Sequence, residues 1–228
     1  MKKLLTIALP LLTSMILASC GGGGLVPPIG EPQPPQPPEP VKVFIPEAGA
    51  AVNSGNGTAI GTVRISPNAT EVEMMNLVNE VRTKGTLNGQ DAIKGSCVEG
   101  SFKPDTLNKL TYDGLLSYAA RMHAVYMTES GQYDHVETMP EHPAFYGTTG
   151  ENRVHRARST FNQPVSDGKA VYENIVIGRS SAAKATYDFM MSSAHCQSIM
   201  RASATRMAMG YTPAYDNKFD SWVQMFAN

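Results

Sequence analysis

Past Arg201 the apolar residues of this chain change their spacing, and that change bounds the fold. Met207, Met209 and Tyr211 alternate with other residues, a turn follows at Asp216-Asn217, and Trp222, Gln224 and Phe226 alternate again. Period two is that of a strand with one buried face, so the segment predicts a closing antiparallel hairpin. Upstream the period is helical. Met74, Leu77, Val78 and Val81 share one helix face, with Thr70 and Glu73 as a capping box. Leu116, Ala119, Ala120, His123 and Met127 mark a second helix, with Asp113 as N-cap and Gly131 as stop. Ala182, Ala185, Phe189, Ser192, Cys196 and Ile199 trace a third stripe, with Ile175 and Gly178 just before it. Helices first, strands last and no strand–helix–strand rhythm predict an α+β domain.

The N-terminal end is of another kind. Lys2 and Lys3 precede an apolar stretch from Leu4 to Leu17 that is too short to span a bilayer, so residues 1–19 are read as a signal peptide. Leu17-Ala18-Ser19-Cys20 has the form of a bacterial lipobox, which makes Cys20 the expected lipidation site. Several acyl chains there would anchor the chain stably, at roughly 0.8 kcal/mol per buried CH2. Gly21 follows that Cys, where Asp would retain a lipoprotein at the inner membrane. The expected location is therefore the cell envelope, at the outer membrane if the cell is Gram-negative. Residues 20–67 form a Gly/Pro-rich, disordered tether, and eight of the sixteen prolines lie between Pro27 and Pro40. Extended polyproline could hold a domain roughly 40 Å from the membrane. The stretch from Val41 to Ile65 carries no decisive pattern. One globular domain is expected over residues 68–228.

Composition excludes one class of partner. With 19 basic and 20 acidic residues, a formal net charge of −1 leaves no electrostatic footprint for nucleic acid. Beyond the inner membrane the environment is oxidising. Once Cys20 is set aside, Cys97 and Cys196 are an even pair and an expected disulfide.

Four strings carry a resemblance: Asp134-His135, Tyr172-Glu173-Asn174-Ile175, Ser192-Ser193-Ala194-His195-Cys196 and Trp222-Val223-Gln224-Met225-Phe226. In this order and spacing the chain resembles the CAP superfamily of SCP-like domains, and most of all its short bacterial members. That resemblance implies an α-β-α sandwich ending in the antiparallel hairpin, with a cleft lined by two His and two Glu. His135 matches the first His position, and Glu173 the first Glu, although Tyr172 stands where Gly is usual. Gly150-Glu151-Asn152 competes for that role. It is set aside because no Ile or Gly follows in the expected places and its distance to the third helix is too long. The second Glu falls on Ser192, three residues after Phe189, and the string that supplies the second His in larger members is absent. Ser192 and His195 stand there instead, and at i and i+3 of one helix they would share a face.

His135, Glu173, Ser192 and His195 are thus the candidate cleft. His123, on the apolar side of its helix, reads as a satisfied core histidine, and His142 and His155 receive no role. Two imidazoles and a carboxylate suit a divalent ion such as zinc, so His135, Glu173 and His195 are the candidate metal ligands, although no His-x-x-x-His spacing supports them. No nucleophile elbow accompanies Ser192. The leading expectation is a non-enzymatic, envelope-anchored binding module that needs no cofactor. Its partners would be the membrane, through the anchor, and an unidentified lipid, glycan, peptide or protein. The rivals are a metal-dependent hydrolase using His135, Glu173 and His195, and a structural lipoprotein with a vestigial cleft.

Overall fold

The first helix, α1 (Ala69–Lys84), starts where Asn68 can close a capping box. Its side chain accepts the Glu71 N–H at 2.9 Å, and Glu71 Oε2 accepts the Asn68 N–H at 3.0 Å. The box therefore lies two residues before the expected Thr70–Glu73 pair. Both frames offer a polar cap with Glu three positions on, but Asn caps better than Thr. Glu71 is also tied to the second helix, its carboxylate buried against Arg121. That helix, α2 (Gly114–Ser130), begins and ends as expected. Asp113 accepts the N–H groups of Leu115 and Leu116, and Gly131 closes it at φ 71°.

These features come from a computed structural model that describes residues 59–60, 63–92, 106–163 and 171–228, all within the compact unit Pro40–Asn228. The leader, Cys20, most of the tether and Cys97 lie outside the described residues. Among the described residues no helix is long and apolar enough to cross a membrane.

Two short hairpins flank α1: β1 (Ala59–Ile60) with β2 (Val63–Arg64), and β3 (Thr86–Leu87) with β4 (Gln90–Asp91). The central sheet has the order β5-β7-β8-β6. Its strands are β5 (Thr111–Tyr112), β6 (Val171–Ile177), β7 (Arg206–Thr212) and β8 (Ser221–Ala227). The expected hairpin is β7–β8, whose turn holds Asp216 and Asn217 at positive φ. β6 pairs antiparallel to β8, and β5 runs parallel to β7.

Alternation along the strands then builds two cores. Met207, Met209, Trp222 and Phe226 pack with α1, α4 (Ala182–Met191) and α5 (Ser193–Ile199). Ala208, Val223, Met225 and Ala227 pack with α2 and α3 (Gly150–Thr160) on the other face, where Ile65 is also buried. The architecture is the expected α-β-α sandwich.

Three elements differ from the sequence reading. The third stripe is two helices, because Ser192 adopts extended backbone (φ −100°, ψ 122°) between α4 and α5. Adjacent serines compete with helical hydrogen bonding, yet Cys196 and Ile199 stay buried across the break. Tyr172-Glu173-Asn174-Ile175, for which no strand was expected, lies in strand β6. The helix α3 was not expected at all.

Candidate functional site

Strand β6 lies at one edge of the sheet, and its period of two divides the candidate residues. Glu173, opposite Met225, faces α2 and α3 with Val171 and Ile175. Asn174, opposite Gln224, faces α5, where its amide donates to Gln224 Oε1 and to the His195 carbonyl, both at 3.1 Å. Glu173 and the backbone of His195 therefore belong to opposite faces of one edge strand. Ser192 and His195 do not share a continuous helix, since the chain breaks at Ser192. The shared-face argument for them fails for that reason.

His135 does meet Glu173. Its Nδ1–H donates to Glu173 Oε1 at 2.9 Å, while half of its side chain stays exposed. His195 is half-buried, with its ring edge-on to buried Phe189 at 5.3 Å. Among the described residues it forms no ion pair with Glu173, whose partners are His123, His135 and Arg153. Ser192 stands half-buried at the helix break, and its side chain makes no cap bond to α5. Glu151 is exposed in the first turn of α3, with His155 as its partner. It is remote in role from the carboxylate that meets His135.

The rest of the cluster was not singled out by the sequence reading. Arg153 is wholly buried and donates to Glu173 Oε2 at 2.6 Å, to the His135 carbonyl at 3.1 Å and to the Gly147 carbonyl at 2.9 Å. Its guanidinium also lies 3.5 Å from Glu137 Oε1. Glu137 is buried as well, accepting the N–H groups of Tyr146 and Gly147 at 2.6 and 3.1 Å. His123 is only half satisfied. Its Nδ1–H donates to Glu137 at 3.0 Å, but its buried Nε2 has no hydrogen-bond partner and lies 3.7 Å from Glu173 Oε1. Gly150, at the start of α3, lies against the same carboxylate, where an added Cβ would stand 3.4 Å from Glu173 Oε2. Two buried carboxylates thus share one guanidinium and two imidazoles.

The charges are mutually supporting. Burial pushes the Glu173 carboxyl up, but the His135 hydrogen bond and the charges of His123 and Arg153 outweigh it and hold it below its ordinary value. Glu173 raises His135, against burial and the Arg153 charge. His195 is lowered, first by burial and then by the charge of His135, so the two imidazoles sense one another.

A pH dependence follows. Glu173, lowered from 4.5, gives its full stabilisation above that pH and loses it as pH falls through its folded value. His135, raised from 6.5, gives its full stabilisation below that pH and loses it as pH rises through its folded value. The stability difference between wild type and His135→Ala should therefore be greatest between pH 4.5 and 6.5 and shrink on both sides. Urea unfolding of both proteins across this range measures it. A difference that stays flat into alkaline pH would exclude the pairing.

The sequence profile of the cysteine-rich secretory protein family, CAP, matches residues 75–226. This chain belongs to the CAP family. Among curated proteins none matches it. An SCP-domain extracellular protein from Bacillus anthracis shares 17% identity over 71% of this chain, with a TM-score of 0.47, and this CAP chain spans 41% of its length. An outer surface protein from Borrelia burgdorferi shares 17% identity over 69% of this chain and 90% of its own, with a TM-score of 0.49. Venom allergen-like protein 4 of Schistosoma mansoni shares 14% over 71% of this chain and 89% of its own, with a TM-score of 0.44.

The metal set read from the sequence fits this CAP site poorly. Both oxygens of Glu173 already accept hydrogen bonds, one of them from a guanidinium. Among the described residues no group of three His, Cys, Asp or Glu is placed to hold a metal ion. What the arrangement offers to solvent is the exposed half of His135, while His195, half-buried against Phe189, is influenced by its charge.

Proposed function

We propose that this CAP domain is a non-enzymatic binding module held at the cell envelope by acyl chains on Cys20. It would present the His135 and His195 imidazoles as a polar cleft to an unidentified lipid, glycan, peptide or protein. The observation that carries this reading is the internal use of the carboxylates. Glu137 is consumed by His123 and two backbone N–H groups, and Glu173 by His135 and Arg153. Neither is left to activate a water, so the donors that remain open suit recognition better than hydrolysis. A Cys97–Cys196 disulfide belongs to the same reading. It is supported by the full burial of Cys196.

The test uses intact cells and the full chain. A photo-crosslinking residue at Val136, exposed beside His135, should give a discrete adduct in the membrane fraction, with a much lower yield in His135→Ala. Cys20→Ser should move the protein and its adduct out of that fraction. Peptides from the same material under non-reducing conditions should show Cys97 joined to Cys196, and two alkylatable thiols there would exclude the bridge. A His135-dependent hydrolysis with no adduct would replace this reading with the hydrolase. Neither adduct nor hydrolysis would leave the structural lipoprotein.

A further inference from the structure

Between α2 and the end of β7 lies a cavity of about 420 Å³ that shares no residue with the cluster around Glu173. Helix α2 lines it with Arg121, Val125 and Glu129, four residues apart and so on one helix face. The end of β7 and the turn after it supply Tyr211, Pro213 and Tyr215, and Asn68 joins them from the start of α1. Strand β7 meets α2 closely at Gly210, where a Cβ would stand 2.3 Å from the Ala120 carbonyl carbon, and the cavity opens just past that point. Its size and its apolar wall with a few polar groups are those of a small-molecule site.

The polar groups state what such a molecule must carry. Only 8% of the Arg121 side chain is exposed, yet its guanidinium is not fully used. Its Nε and Nη2 donate to Glu71 and its Nη2 also to the Ser66 carbonyl, while Nη1 makes no hydrogen bond among the described residues. Asn68 reaches the same Glu71 carboxylate through its own N–H, accepts the Glu71 N–H on Oδ1, and leaves Nδ2 open. Two open donors at one end call for an acceptor on the ligand. At Glu129, eight residues and about 12 Å along the helix, the charge is already met. Lys218 lies 3.6 Å from Glu129 Oε2 and donates to the Glu129 carbonyl at 2.6 Å. Every formal charge lining the cavity is thus paired within the protein, and an ionic ligand would lie uncompensated against an apolar wall. The flat faces of Tyr211, Pro213 and Tyr215 suit an aromatic ring.

We propose that this cavity binds a neutral aromatic molecule, a tertiary amide or an ester, whose acyl oxygen accepts from Arg121 Nη1 and Asn68 Nδ2. This goes beyond the binding-module reading, because it uses none of the residues of the His135 cleft. The crosslink at Val136 depends on His135 and this binding does not, so either can fail alone.

The experiment titrates the full chain, reconstituted in phosphatidylcholine vesicles, with N,N-dimethyl-4-phenylbutanamide and reads the fluorescence of Trp222. That is the single tryptophan of the chain, and its ring centroid stands 4.1 Å from that of Tyr211. A saturable change is expected, at least tenfold tighter than with the anion 4-phenylbutyrate and tighter than with the alkyl amide N,N-dimethyldecanamide. Asn68→Asp keeps the capping oxygen but loses the Nδ2 donor, and Tyr215→Ala removes a wall residue from an exposed turn. Each should weaken binding at least fivefold while the thermal melt still reports a folded chain, and His135→Ala should bind as wild type does. No saturable change, equal binding of the anion or the alkyl amide, full affinity in either folded variant, or loss in His135→Ala overturns the proposal. Should one variant not fold, the other variant and the comparison of the three ligands on wild type still decide.

Discussion

Replacing Gly210 by alanine will lower stability by about 3 kcal/mol or more, at the upper end of what overpacking costs. The midpoint of thermal unfolding should then drop by roughly 6–12 °C for a domain of this size. Gly210 sits on the face of β7 that meets α2. A Cβ there would lie 2.3 Å from the Ala120 carbonyl carbon, 2.4 Å from its oxygen and 2.4 Å from the Arg121 nitrogen. All three are backbone atoms of a helix interior, so no side chain can rotate away. Relief requires α2 to lift from β7, which would also disturb His123 at the back of the site. The sign of the result is informative, because Gly210 is not among the positive-φ glycines. At such a position alanine ordinarily stabilises by about 0.4–1 kcal/mol through the unfolded chain. A thermal melt equal to or above wild type would mean that α2 does not press on β7 in this way.

The same contact shows what the sequence makes legible. Period two found β7 and β8 because Met207 and Met209, and Trp222 and Phe226, recur on one face of the sheet, and period 3.6 found α1 and α2 from apolar residues recurring on one helix face. In α3 it could not work. Arg153, Val154 and Ala157 are its only buried residues, and arginine in the middle of that face reads as solvent-exposed. The signals that were present were local: Thr149, whose side chain caps the Asn152 N–H, and Glu151 in the first turn. Strand β6 was hidden differently. Tyr172-Glu173-Asn174 interrupts its β-branched residues with polar ones, because both faces of that edge serve the site, Glu173 inward to Arg153 and Asn174 to Gln224 and His195. The motif strings located His135, Glu173 and His195 but not their neutralisation, which depends on Glu137 and Arg153 arriving from a loop and a helix without apolar pattern. His123 was placed on the core side correctly, but its second nitrogen could be judged only once Glu173 was in position.

A second large loss is expected on the opposite side of the sheet, from Arg82→Met. Arg82 is completely buried in α1, and the contacts of its guanidinium are all carbonyls: Asn108, Ile199, Arg201 and Ala204. Burial brings its pKa down to about 10, which still leaves it charged at neutral pH. Those carbonyls belong to the end of α5 and the turn leading into β7, together with the segment before β5. One side chain thus fixes three chain segments against α1. Methionine fills similar volume but donates nothing, and each buried acceptor left unpaired costs about 1–3 kcal/mol. With partial re-pairing to water, the net loss should be on the order of 4 kcal/mol. Arg82→Lys should retain part of the stability, since a point ammonium cannot reach all the acceptors that a planar fork spans. Chemical denaturation of the three proteins measures the order wild type, Lys, Met. If Arg82→Met matched wild type, the carbonyls would have found other donors. The turn into β7, and with it the placement of α5 and His195, would then be held by packing alone.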